Sequence, residues 1–171
     1  MVQTIKTYYR KEYFNFPVQE LYLLATDNDV LGIFFNVESM DKYIQDNHND
    51  TPNPGVNQVL KDLISELTSY FDGKLTSFTV PVALYGTPFR MSVYDTLRSH
   101  VQYGETISYQ ALAKTSGHPG AYRAVGTAMK LNPLPFIIPC HRVVHTDGSS
   151  GQYAGGSNLK KHLLSMELSH V

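Results

Sequence analysis

The chain has 171 residues, 42% hydrophobic, 12% aromatic and 17% charged, an ordinary globular composition that excludes a disordered tail, a collagen-like repeat and a coiled-coil rod. No apolar run is long enough to span a bilayer, and the single cysteine, Cys140, excludes an intramolecular disulfide. The net charge of −1 hides a division: residues 1–85 carry six Lys and Arg against eleven Asp and Glu, residues 86–171 eight against four with six of the seven histidines.

Two domains, 1–85 and 86–171, are therefore expected at this length. The mildly basic second one could approach a polyanion from which the acidic first one stays clear, although scattered solvated charge would look the same. Residues 1–6 lack the charged-then-apolar pattern of a secretory signal, so a cytoplasmic location is expected.

Residues 5–9 alternate weakly and read as a strand. Residues 21–26 and 30–35 flank Asp27-Asn28-Asp29, which tolerate the left-handed turn of a hairpin, giving a small antiparallel sheet. After the polar stretch 46–55, apolar residues recur with helical spacing at Val56, Val59, Leu60, Leu63, Ile64, Leu67 and Phe71. Gly73 then stands where a helix should stop. Residues 72–86, with Pro81, are expected to hold a last strand and the linker.

Short helices follow. Thr87-Pro88 is a cap with proline at the first helical position, and Phe89, Val93, Leu97 and Val101 repeat at four-residue intervals. A second helix starts at Ser108 and stops at Gly117, and Pro119 can open a third that runs to Leu131, a helix-turn-helix pattern also common in proteins that never touch DNA. On the third helix Ala121, Ala124, Gly126, Thr127 and Ala128 crowd around Arg123. Such small residues either let the backbone approach a flat partner while the arginine projects, or permit tight packing inside a core.

Residues 132–144 read Asn-Pro-Leu-Pro-Phe-Ile-Ile-Pro-Cys-His-Arg-Val-Val. Three prolines forbid a regular helix and the apolar residues between them argue for burial, so a stiff buried strap is expected. It ends on Cys140, beside His141 and Arg142, neighbours that favour thiolate over thiol. Three readings stand open. The thiol is an inert small hydrophobe; or it pairs with His141 as an acyl-transfer nucleophile, with Glu167 of a final helix over 158–167 as third member; or Cys140, His141 and His145 hold a metal, which divergent adjacent side chains and the lack of a second cysteine disfavour.

In order and spacing, Gly104-Glu105-Thr106-Ile107-Ser108-Tyr109, Arg123-Ala124-Val125-Gly126, Asn132-Pro133, Pro139-Cys140-His141-Arg142-Val143, Tyr153-Ala154-Gly155-Gly156 and Glu167 resemble the 6-O-alkylguanine-DNA alkyltransferases. The likeness runs from about residue 87 to 167, and the acidic first part matches only in general organisation. It implies an α+β fold: a small antiparallel sheet with a helix, ribonuclease-H-like, then a helical, winged helix-turn-helix-like DNA-binding domain.

By that resemblance Cys140 takes the alkyl group from guanine by direct displacement. His141 draws off the thiol proton through a water held by Glu167, Asn132 braces the strap, and Tyr109 donates to the purine as charge develops on it. The main chain of Cys140, Val143 and Ala154, with Tyr153 and Arg142, would line the substrate pocket. Arg123 would fill the stack vacated by a flipped nucleotide, with Ala121, Ala124 and Gly126 on a helix in the minor groove of double-stranded DNA. The thioether product cannot be hydrolysed as a thioester can, so each molecule, a monomer without cofactor or membrane contact, would act once.

The chain departs from the family in having no tryptophan, with Tyr94 at a position often held by one, and Ala154 where a serine is frequent. It also lacks the cysteines some relatives use for zinc, so no metal is expected. Two competitors remain: a binding-only relative, which Cys140 argues against, and a cysteine hydrolase of accidental likeness.

Overall fold

The computed structural model describes residues 5–18 and 20–171; the reading of residues 1–6 as lacking a secretory signal falls mostly outside the described residues. The chain forms two compact units, the first ending at Leu84 and the second running from Tyr85 to Val171.

In the first unit, strands β1 (Thr7–Tyr13), β2 (Glu20–Thr26) and β3 (Val30–Phe34) pair antiparallel in sequence order. β2 is central and buried on both faces through Leu21, Leu23, Leu24 and Ala25, and so reads as an apolar run rather than an alternation. The β2–β3 turn is closed by the Thr26 hydroxyl, which accepts from the amides of Asn28 at 3.1 Å and Asp29 at 3.0 Å.

A helix that the sequence reading did not anticipate, α1 (Val37–Asn47), starts at Asn36, whose side chain accepts from the Ser39 amide. It lays Met40 against Leu24, Leu31 and Phe34. The two-residue β4 (Asn53–Pro54) then adds to the open edge of β1 in parallel.

The expected amphipathic helix is α2 (Gln58–Phe71), burying Val59, Leu60, Leu63, Leu67, Tyr70 and Phe71. Asn57 caps it and also donates to the Thr26 carbonyl at 2.8 Å, tying the helix start to the hairpin. Gly73 ends it in the left-handed conformation. Residues 72–86 form no strand, contrary to expectation: Val82 makes only an isolated bridge to Val30, while Glu66 takes the amides of Thr79 and Val80 and the Thr79 hydroxyl. Two adjacent amides are thus drawn to a helix side chain, and the pairing with Val30 goes no further than the Pro81 carbonyl and the Ala83 amide.

In the second unit, α3 (Pro88–His100) begins on the Thr87 cap and buries Val93, Tyr94 and Leu97. Tyr94 donates its hydroxyl to the Ala128 carbonyl at 2.7 Å, so the phenol at the position often held by tryptophan ties two helices together. The short β5 (Ile107–Ser108) leads directly into α4 (Tyr109–Thr115), capped by Ser108.

At the end of α4 the amides of Gly117 and His118 return to the carbonyls of Lys114 and Ala113, the Schellman arrangement that a left-handed glycine permits. Pro119 does not open the next helix. Gly120, at φ +86°, turns the chain first, and α5 spans Tyr122–Lys130. α4, this turn and α5 form the helix-turn-helix. After the strap come a one-turn 3₁₀ helix (Cys140–Arg142), β6 (Val143–Val144), which pairs in parallel with β5, and α6 (Ser157–Ser169).

Candidate active site

The strap is buried from Pro133 onward. Asn132 braces it from within: its side-chain NH₂ donates to the Ile138 carbonyl and its oxygen accepts from the Leu134 amide, both at 2.9 Å. Between these ties Phe136 is forced to φ +73°, the one non-glycine residue in the left-handed region among the described residues. The Cys140 amide then closes a tight turn on the Ile138 carbonyl around Pro139. Constraint at both ends aims the thiol, which is 7% exposed.

His141 and Arg142 turn away from that thiol. The fully buried His141 ring meets Glu167 Oε1 through Nε2 at 2.7 Å. The Arg142 guanidinium grips the same carboxylate at 2.9 and 3.0 Å and donates to the Val101 carbonyl at 2.9 Å. Arg142 was expected at the substrate pocket; its guanidinium instead points inward, because burial makes any partner but a carboxylate costly.

Glu167 is what α6 contributes, and it also accepts from the Gly104 amide. Gly104, at φ +82°, has no room for a Cβ, which would fall 2.4 Å from Val171.

The electrostatics differ from those expected from neighbouring charges. Burial pushes the Cys140 thiol up, and a hydrogen bond from Asn132, the charge of Lys160 and nearby main-chain amides pull it only part-way back. At rest the residue is a thiol. Burial lowers His141, against the hydrogen bond and charge of Glu167, so the imidazole is neutral. Burial alone would raise Glu167, but the hydrogen bonds and charges of His141 and Arg142 outweigh it and hold the carboxyl well below its usual range. An ionised carboxylate only accepts, so Nε2 of His141 carries the proton and Nδ1 is the basic nitrogen.

Cys140 opens onto a cavity of about 740 Å³ walled by Tyr109, Arg123, Gly126, Met129, Tyr153 and Ala154 among others. The phenols of Tyr109 and Tyr153 are raised, by burial and by the negative charge Cys140 can carry, and remain protonated donors. Along α5, Val125, Ala128 and Met129 face the core while Tyr122, Arg123, Ala124, Thr127 and Lys130 face out. Of the two readings of the small residues, Ala124 thus belongs to an outer face and Ala128 to helix packing. Ala121 is the half-buried cap residue of α5, and a Cβ at Gly126 would meet nothing.

Sequence reasoning weighed His145 only as a metal ligand and missed Gln152 on the cavity wall and the buried Lys160, whose Nζ lies 6.0 Å from the ring centroid of the wall residue Tyr109. Val143 is buried, its carbonyl taken by Lys160 at 2.6 Å. The signal was present for Lys160, which shares the inner stripe of α6 with Leu163 and Glu167 at i, i+3 and i+7.

Residues 88–169 match the 6-O-methylguanine DNA methyltransferase DNA binding domain and residues 9–84 the ribonuclease-like domain of the same family. A methylated-DNA–protein-cysteine methyltransferase of Mycobacterium bovis is 44% identical over 121 residues, 71% of either chain. The chain belongs to the methylated-DNA–protein-cysteine methyltransferase family. A Methanosarcina barkeri member is 45% identical over 107 residues, 63% of this chain and 67% of its own. The crystal structure of Mycobacterium tuberculosis OGT in complex with DNA superposes with a TM-score of 0.83 at 34% identity, covering 96% of this chain and 94% of that one. The O6-methylguanine-DNA methyltransferase of Pyrococcus kodakaraensis gives 0.68 at 30% identity, covering 94% and 98%. As a methyltransferase of this family with its cysteine in place, the protein binds DNA and repairs it by alkyl transfer. Among the described residues no helix is long and apolar enough to cross a membrane.

Proposed function

We propose that the alkyl acceptor is Cys140 and that each molecule acts once, on 6-O-alkylguanine turned out of double-stranded DNA. The observation that carries this reading is the buried thiol on a cavity that Tyr122, Arg123, Gly126, Met129 and Lys130 of the outer helix α5 also line. Nδ1 of His141 takes the thiol proton through a water, and Glu167 steadies the imidazolium. Sulfur attacks the alkyl carbon, the carbon–oxygen bond breaks, and its electron pair passes to the guanine oxygen and ring. There the Tyr109 hydroxyl meets the developing charge. Asn132 holds sulfur and strap in register. The main chain of Cys140, Val143 and Ala154, with Tyr153, receives the base.

A stacked base cannot reach a thiol so placed, and turning it out costs a few kcal/mol. The exposed Arg123 on α5 is the residue to fill the gap, with Ala121, Ala124 and Gly126 allowing close approach to the minor groove. A 4-O-alkylthymine presents the same kind of bond on a smaller ring and falls within the same reading. Every group this transfer uses, from Tyr109 to Glu167, comes from a single copy of the chain, as a monomer requires. Cytoplasmic placement fits a lone unpaired thiol.

Incubation with methylated duplex should add one methylene mass to the peptide containing Cys140 and restore at most one guanine in the DNA per protein molecule. An unmodified peptide, or several guanines per molecule, overturns the proposal. The substitution Arg123→Ala should slow transfer from duplex on the order of 100-fold, the loss of a few kcal/mol of support for the turned-out state. It should leave reaction with free alkylguanine base within about twofold, since α5 need not then hold a duplex open. Single-turnover rates on the two substrates check this, and equal losses on both would place Arg123 elsewhere in the reaction.

A further inference from the structure

Lys160 takes no part in the transfer as set out above, yet it is among the largest fully buried side chains. Its Nζ donates to the Val143 carbonyl at 2.6 Å and stands 6.0 Å from the Tyr109 ring centroid. An ammonium taken out of water is costly unless its charge is used, and its neighbours Leu159 and Leu163 show that this face of α6 accepts aliphatic side chains.

The surrounding charges say where that use lies. Glu167 is already engaged by Arg142 and His141, and His141 is neutral. The other titratable groups whose interactions reach the sulfur are the phenols of Tyr94, Tyr109 and Tyr153, all raised and therefore protonated. Once its proton leaves, the sulfur of Cys140 is the anion left to balance the ammonium.

We infer that Lys160 is a positioning residue for methyl transfer: it fixes the Val143 carbonyl beside the base pocket and sets a positive charge near Cys140, so that ionisation of the thiol is compensated inside the protein. This rests on the proposed transfer to Cys140. In the step itself the thiol proton goes to His141, the sulfur–carbon bond forms and the carbon–oxygen bond breaks. Lys160 exchanges no proton. The reciprocal effects agree with the geometry: burial lowers Lys160, the charge of Cys140 raises it, and the charge of Lys160 lowers Cys140.

The test compares single-turnover transfer from methylated duplex, across pH, in the wild type and in Lys160→Gln and Lys160→Met. Glutamine keeps a donor for the Val143 carbonyl and loses the charge; methionine loses both. The Gln variant should transfer about tenfold more slowly at neutral pH and recover on the alkaline side, its profile moved up by about one pH unit. The Met variant should show the same displacement together with a higher duplex concentration for half-maximal single-turnover rate. A Gln profile that overlays the wild type's overturns the inference, whatever happens to Tm, because a purely structural lysine would change Tm without moving the profile.

Should neither variant fold, NMR of the lysine side chains in the wild type decides. A charged Lys160 amine at neutral pH whose signal shifts when Cys140 is methylated supports the inference, and a neutral amine overturns it. Failure of the wild type to transfer at all counts against the proposed function. A transferring wild type beside an unshifted Gln variant counts against Lys160 alone.

Discussion

Replacing Cys140 with serine should reduce methyl transfer by a factor on the order of 10⁴ or more, while binding to methylated duplex stays within about twofold. The fold tolerates the change, because what shapes this turn is main chain: the Cys140 amide on the Ile138 carbonyl and the Arg142 amide on the Pro139 carbonyl. The chemistry does not. The site already works against ionisation of a thiol, which burial raises, and a hydroxyl starts several pH units further from its anion. A neutral His141 can accept a proton from sulfur at the moment of attack; drawing one from an alcohol would require a stronger base than burial leaves it. Transfer of labelled methyl in a single-turnover assay, beside duplex binding followed by fluorescence anisotropy, separates the two effects. A serine variant that still transfers within tenfold of the wild type would remove Cys140 as acceptor.

What could be read from the sequence, and what could not, follows from how local each signal is. The helices α2, α3 and α4 were visible because their starts (Thr87, Ser108) and stops (Gly73, Gly117) are local chemistry and, most plainly in α2, apolar residues repeat with a helical period. Helix α1 escaped because only Met40 of its eleven residues is buried, too thin a stripe to stand out from the polar residues around it. The strand expected in residues 72–86 failed for a non-local reason: the Thr79 and Val80 amides go to Glu66, a partner 13 or 14 positions away that no local pattern announces.

At the site, residue types were legible and electrostatics were not. Cys140, His141 and Arg142 adjoin in sequence, which suggested an activated thiolate between two cations. The 3₁₀ turn sends the two basic side chains to Glu167, 26 and 25 residues on, and leaves the sulfur to burial, Asn132 and Lys160. Sequence neighbours were mistaken for spatial ones. Lys160, whose charge does reach the sulfur, sits 20 positions away on a helix whose inner face only the packed structure identifies.

The substitution Glu167→Ala should cost about 3–5 kcal/mol of folding stability, the penalty for leaving a buried charge without its partner. Glu167 is 1% exposed and holds the Nε and Nη2 groups of Arg142, the His141 ring and the Gly104 amide at once. Alanine would leave the guanidinium only the Val101 carbonyl and the face of the Tyr103 ring, neither of them an anion. The effect has a definite pH signature. Because His141 and Arg142 hold the Glu167 carboxyl below its unfolded value, the unfolded chain binds the proton first as pH falls. The stability due to this ionisation is thus complete above the ordinary carboxylate pKa near 4.3 and is lost progressively as pH drops below it toward the folded value. Urea unfolding should therefore show the full gap between wild type and variant at neutral pH and a smaller one in acid. Transfer should fall as well, on the order of 100-fold, since His141 loses the acceptor that fixes its tautomer and steadies its cation. A variant within about 1 kcal/mol of the wild type at neutral pH, or a gap that does not narrow in acid, would mean that Glu167 does not serve as the shared anchor of strap and helix.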